Sequence, residues 1–240
     1  MKATTIILFL ALLTGCGDNV FEGQEQSDPA EDATIALENQ DPDAAIEILE
    51  DALEDDPDNA QYTSILSLAY AQRAGVEPLS FALELTTGEE EDEDSGDSGG
   101  STQYELMFAI LPDPDDQALT DIAQAVSLLS SLSSDDLLPG DTFKLAMFQT
   151  AYFVMQTKRL DTDLDGSLAG TEVDDLTAED AAALLNQIDQ VSALLAESGE
   201  DDATSAAAAE SIAEFQAELD AQPGDTDEEK LENYLASQGE

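Results

Sequence analysis

The sequence predicts an all-α protein in which short antiparallel helix pairs pack with a helical bundle, interrupted by a long acidic disordered linker. Three observations lead there. Apolar residues recur at helical spacing from about Ala30 onwards, Pro and Gly punctuate the stripes, and the 42% hydrophobic content leans on Ala while aromatics supply 5%. Such a composition fills a helical core with few rings, and 240 residues suit one or two domains.

Residues 1 to 15 carry one positive charge at Lys2, an apolar run from Ile6 to Leu13 and then small residues. The run is about half of what a bilayer span requires and reads as a signal peptide. Leu13-Thr14-Gly15-Cys16 resembles the lipobox of bacterial lipoproteins, and Cys16 is the only Cys in the chain. The resemblance implies cleavage before Cys16 and acylation of its thiol, a membrane anchor that gains roughly 0.8 kcal/mol per buried methylene. Gly17 stands where enteric lipoproteins kept at the inner membrane have Asp, which implies the outer membrane of a bacterial envelope rather than the inner. Residues 16 to 31 have no apolar period and read as a tether.

Residues 32 to 87 begin with two stripes. Ala45, Ile46, Leu49, Ala52 and Leu53 share one face of a helix that Asp41-Pro42 starts and Asp56-Pro57 stops; Tyr62, Ile65, Leu66, Ala69 and Tyr70 form the next face, ending at Gly75. The stretch Asp43 to Ala60 resembles the second helix of a tetratricopeptide repeat, with Leu66, Ser67 and Tyr70 at the large, small and aromatic places of a following first helix. Ala33, Ala45 and Ala52 match the small-residue places. Asp32 departs from the motif, and the pattern is lost at Val76-Glu77-Pro78-Leu79. The resemblance covers roughly residues 28 to 75 and implies a peptide- or protein-binding groove to which Tyr62, Leu66 and Tyr70 would contribute. One and a half repeats cannot close a core alone, so they are expected to pack on the later helices.

Residues 88 to 103 hold no apolar side chain and a block of like charges, and they read as a solvated loop or linker. In the helical region 104 to 240, Leu119, Ile122, Ala123, Val126 and Leu129 make one face after the stop at Pro112-Asp113-Pro114. Phe143 to Met155 is apolar nearly all round and too short to span a bilayer, as expected of a central buried helix. Thr177 starts a further helix striped by Ala181, Leu184, Leu185, Ile188, Val191, Leu194 and Leu195. Ala206 to Leu219 and Leu231 to Leu235 close the chain.

Sharp chemistry is confined to residues 161 to 172, Asp-Thr-Asp-Leu-Asp-Gly-Ser-Leu-Ala-Gly-Thr-Glu. Calcium takes six to eight oxygens, and a twelve-residue loop supplies them from its first, third and fifth side chains, a mid-loop carbonyl and a bidentate Glu at the end. Asp161, Asp163, Asp165, the Ser167 carbonyl and Glu172 fill those places, with Gly166 at the turn and Leu168 facing inward. The pattern resembles an EF-hand loop. It has no second loop to pair with, and the new helix at Thr177 cuts its exit helix to about one turn. Both features imply one weak, structural Ca2+ site, at roughly 10⁻⁴ to 10⁻³ M.

The chain has 56 Asp and Glu against 6 Lys and Arg, no His and no Trp, for a net charge of -50. Nucleic acid and anionic lipid surfaces would repel it. No His is present to act as general base, and no pair of carboxylates is singled out for glycosidase chemistry. The expectation is a non-enzymatic, lipid-anchored adaptor or scaffold with an envelope protein or peptide as partner. The alternative is an accessory lipoprotein of a tripartite substrate transporter, which the chain resembles in leader, repeat and helical remainder.

Overall fold

Side-chain caps set several helix starts. Asp28, Asp41, Asn59 and Asp115 each accept a backbone N–H from the turn that follows, at 3.1, 3.2, 3.1 and 2.7 Å, satisfying donors that a helix leaves open. Pro29 and Pro42 open their helices, where a missing N–H removes no intrahelical bond.

The computed structural model describes residues 28–87, 103–160, 177–198 and 203–237. Among them are ten helices and no strand: α1 Pro29–Glu38, α2 Pro42–Asp55, α3 Ala60–Arg73, α4 Pro78–Thr87, α5 Gln103–Ile110, α6 Asp116–Ser131, α7 Asp141–Lys158, α8 Ala178–Ser198, α9 Ala203–Asp220 and α10 Asp227–Ser237. No described helix is long and apolar enough to cross a membrane. The leader, Cys16, the tether up to residue 27, the acidic segment 88–102 and the loop 161–172 lie outside the described residues.

Two boundaries differ from the sequence reading, and α5 falls in the region expected to be helical. Helix α1 begins inside the expected tether, because Asp28 caps it and Ala30 is buried. Helix α4 forms where the repeat pattern is lost: Pro78 opens a helix there instead of ending one, and it buries Phe81. Helix α5 precedes the stop at Pro112 and buries Met107 and Phe108.

Helices α1, α2 and α3 pack on one another around Ala33, Leu37, Ala45, Ile46, Leu49, Leu66 and Ala69. Ala33 and Ala45 are fully buried, so these backbones approach closely. Helix α3 also packs on α6, and its Leu68 and Tyr70 touch the second, larger apolar cluster as well as the first. That second cluster is built on α7. Its Leu145 to Met155 stretch is buried apart from the half-exposed Tyr152, and each fully buried Met or Phe contributes roughly 1.5 to 3 kcal/mol. Thr157 is buried with its hydroxyl donating to the Val154 carbonyl at 2.8 Å.

Helices α7 and α8 form an antiparallel pair: Gln149 donates to Gln190 at 3.4 Å, while Gln156 and Leu184 line one cleft nearer the other end. Helix α9 packs on α8, α4 and α5, and α10 closes against α8 and α9. A chain of edge-on rings, Phe153 to Phe215 at 5.6 Å and Phe215 to Tyr234 at 5.2 Å, joins α7, α9 and α10.

Two helix ends use the same turn with different residues. After α1, Gln40 adopts φ 60°, with the Asp41 N–H bonded to the Ala36 carbonyl at 2.9 Å; after α3, Gly75 adopts φ 81°, with the Val76 N–H bonded to the Ala71 carbonyl at 2.8 Å.

Candidate functional site

Five of the six Lys and Arg residues fall within the described residues, and each is ion-paired with at least one carboxylate. In an acidic chain these few cations mark where the fold concentrates its polar order.

The first junction joins α2, α3 and α6. The Arg73 guanidinium donates to both oxygens of Asp121, from Nε at 2.8 Å and Nη2 at 2.7 Å, and to Asp43 at 2.9 Å. Gln117 adds a bond to Asp121 at 2.8 Å, and Arg73 lies 5.1 Å from the Tyr70 ring centre. The hydrogen bond to Asp121 holds the Arg73 pKa above its ordinary value, against burial, which lowers it. Burial, and then the hydrogen bond its hydroxyl donates to Glu50 at 2.6 Å, push Tyr70 up to about 12.

The second junction joins α3 to α7. Asp141 is fully buried; it accepts from the Ser64 hydroxyl at 2.7 Å, the Leu138 N–H at 2.9 Å and the Lys144 ammonium at 2.6 Å. Lys144 also donates to Ser64 at 2.7 Å. A Ser beside a Lys is an arrangement in which an amine can activate a hydroxyl. Here the carboxylate holds the ammonium, and Ser64 is 2% exposed, so no substrate reaches it without parting α3 from α7. The trio is a strut.

The third junction ties the end of α7 to the turn between α5 and α6. The buried Lys158 ammonium donates to the carbonyls of Phe108 and Leu111 at 3.0 and 2.8 Å, pairs with Asp113 at 2.9 Å, and lies over the Phe108 ring at 4.8 Å. It thereby caps carbonyls at the end of α5. Next to it, Arg159 pairs with Asp116 at 2.7 Å on the edge of a cleft of about 810 Å³ between α6, α7 and α8.

Of the residues singled out from the sequence, Tyr62, Leu66 and Tyr70 come together on α3. Leu66 is buried in the first cluster and its side chain serves packing; Tyr62 and Tyr70 are half-buried, with the Tyr70 hydroxyl given to Glu50. The calcium candidates Asp161, Asp163, Asp165, Ser167 and Glu172, and the lipidation candidate Cys16, lie outside the described residues. Among the described residues, no cluster of His, Cys, Asp and Glu is disposed to hold a metal ion.

No family model, curated protein or solved structure matches this chain. Its chemistry therefore has to be read from its own residues. The junctions around Arg73, Lys144 and Lys158 are not nominated by any motif, although the sequence carries one signal for them: so few cations, all but Lys2 set beside apolar helical stripes.

Proposed function

We propose that this chain is a non-enzymatic helical adaptor lipoprotein of the bacterial cell envelope, anchored through Cys16 and binding one calcium ion through Asp161, Asp163, Asp165, the Ser167 carbonyl and Glu172. The observation that carries the reading is the twelve-residue pattern from Asp161 to Glu172, with Gly166 and Leu168 also at the required places. It is supported by the pairing of α7 with α8, since the connection between them, residues 159 to 177, is long enough for such a loop. Calcium there would neutralise a crowd of carboxylates and stiffen the connection between two helices that carry much of the core.

Thermal melting and helicity in chelator and in several millimolar calcium test the calcium part. A site with a Kd of roughly 10⁻⁴ to 10⁻³ M adds about 1 to 2 kcal/mol under those conditions. Glu172→Gln should remove the increment, and identical melting with and without calcium would overturn the assignment. Detergent phase partition tests the anchor: the chain expressed in a bacterium follows detergent, and Cys16→Ser moves to the aqueous phase.

A further inference from the structure

We propose that the cleft between α6, α7 and α8 binds a small monocarboxylate with an apolar body, its carboxylate held by Arg159 and its body laid against Leu119, Ala123, Leu160 and Leu184. Arg159 stands apart from the other described cations. Its side chain is 56% exposed, against 28% for Arg73, 24% for Lys230, 23% for Lys144 and 8% for Lys158. Its tie to Asp116 runs from Nη1 to a carboxylate that is itself 86% exposed, and such pairs hold weakly.

Exchange of partners at Arg159 is asymmetric. Asp116 sits in the first turn of α6, where the helix N-terminus favours a negative side chain, so a carboxylate that displaces it releases it into water in a favourable setting. An ammonium that took Asp116 instead would leave the guanidinium on the cleft wall without an anion. The local geometry thus selects an anion although the chain carries -50 overall. A guanidinium grips a carboxylate best through two parallel N–H groups, a mode an incoming carboxylate is free to adopt.

The rest of the ligand follows from the wall and the field. A cleft of about 810 Å³ lies within the range of small-molecule sites. Its four aliphatic residues form a patch for a short hydrocarbon body beside the polar Thr120, Gln124 and Tyr152, and a second carboxylate would lie over that patch in a chain that already repels anions. The site is made of side chains from α6, α8 and the end of α7, with Arg159 and Leu160 from the turn that follows it.

A titration of the full chain with hexanoate, with hexylamine and hexanol as cationic and neutral counterparts, followed on the methyl signals of Leu119, Leu160 and Leu184, tests the proposal. Hexanoate should shift those signals saturably and bind about tenfold more tightly than either counterpart. Arg159→Gln should weaken hexanoate about tenfold, whereas Asp116→Asn should tighten it about two- to fivefold by removing the competing carboxylate. A pair that merely ties α6 to α7 would leave binding untouched in both variants. Ala123→Phe, which fills the cleft and leaves both charges in place, should abolish binding and keeps the test available if Arg159→Gln does not fold. The proposal is overturned by equal or tighter binding of hexylamine, by no shift up to about 50 mM hexanoate, or by the two charge variants moving affinity in the same direction.

Discussion

Arg73 holds Asp121 through two N–H groups at 2.8 and 2.7 Å, joining the end of α3 to α6 across 48 residues of sequence. Asp121 is 1% exposed, so Arg73→Met strands a buried carboxylate with Gln117 as a remaining donor. The expected loss is about 3 kcal/mol in urea unfolding. Arg73→Lys should recover part of it, since an ammonium cannot form the paired contact. Removing both charges, in Arg73→Met with Asp121→Leu, should recover most of it.

Tyr70 gives a measurable dependence on alkaline pH. Its folded pKa of about 12 lies above the ordinary value of 10.0. Between those values the unfolded chain loses the phenolic proton while the folded chain keeps it. The stabilisation is therefore complete below pH 10 and declines as pH rises towards 12. Tyr70→Phe should be less stable than the parent at about pH 9, and the gap should narrow by about pH 11.

The Ser64, Asp141 and Lys144 trio should respond unequally to the loss of its hydroxyl and of its cation. Ser64→Ala leaves Asp141 with Lys144 and the Leu138 N–H and is expected to cost about 1 kcal/mol. Lys144→Met leaves a fully buried carboxylate without its cation and should cost about 3 kcal/mol. Neither variant should change the α7 and α8 contacts, so methyl signals of Ile188 and Val191 are expected to stay in place.

Gln40 and Gly75 sit in equivalent turns and should respond in opposite directions to the loss and gain of a Cβ. Gln40→Gly relieves a left-handed conformation that disfavours an L side chain and is expected to stabilise by about 0.5 to 1 kcal/mol. Gly75→Ala introduces the same strain and sets a Cβ 3.0 Å from the Pro112 ring, so a loss of about 1 to 2 kcal/mol is expected. Thermal melting of the two variants checks both.

Added salt should raise stability. The partly buried ion pairs of Arg73, Lys144 and Lys158 lose little to screening, whereas the excess carboxylates repel one another over longer distances. The screening length falls from about 10 Å at 0.1 M to about 3 Å at 1 M. A melting temperature that stays flat from low to molar NaCl would contradict this account.

What could be read from the chain alone was local. The starts at Asp41-Pro42 and Thr177, the stripe from Ile122 to Leu129 and the burial of α7 follow from spacing within one helix, and the helices lie where that spacing predicts. Helix α4 escaped because Pro78 suits the first turn of a helix as well as the residue after one, and only the burial of Phe81 decides between them. The junctions escaped for a different reason. Ser64 meets Asp141 77 residues away, and Lys158 reaches the Phe108 carbonyl 50 residues away; with 56 acids available, no pattern nominates one partner. The cleft escaped likewise, since Ala123, Arg159 and Leu184 meet only when three helices pack.

The inward use of the cations governs how the folded chain meets a protease. Trypsin requires a Lys or Arg in an extended stretch of backbone, yet Arg73, Lys144, Lys158 and Lys230 stand in helices, each tied to a carboxylate. Arg159 caps α7 in helical geometry, but with its side chain more than half exposed it is the position that fraying of the last turn frees first. Digestion of the folded protein should begin after Arg159, and cleavage at the other four positions should report the opening of the core.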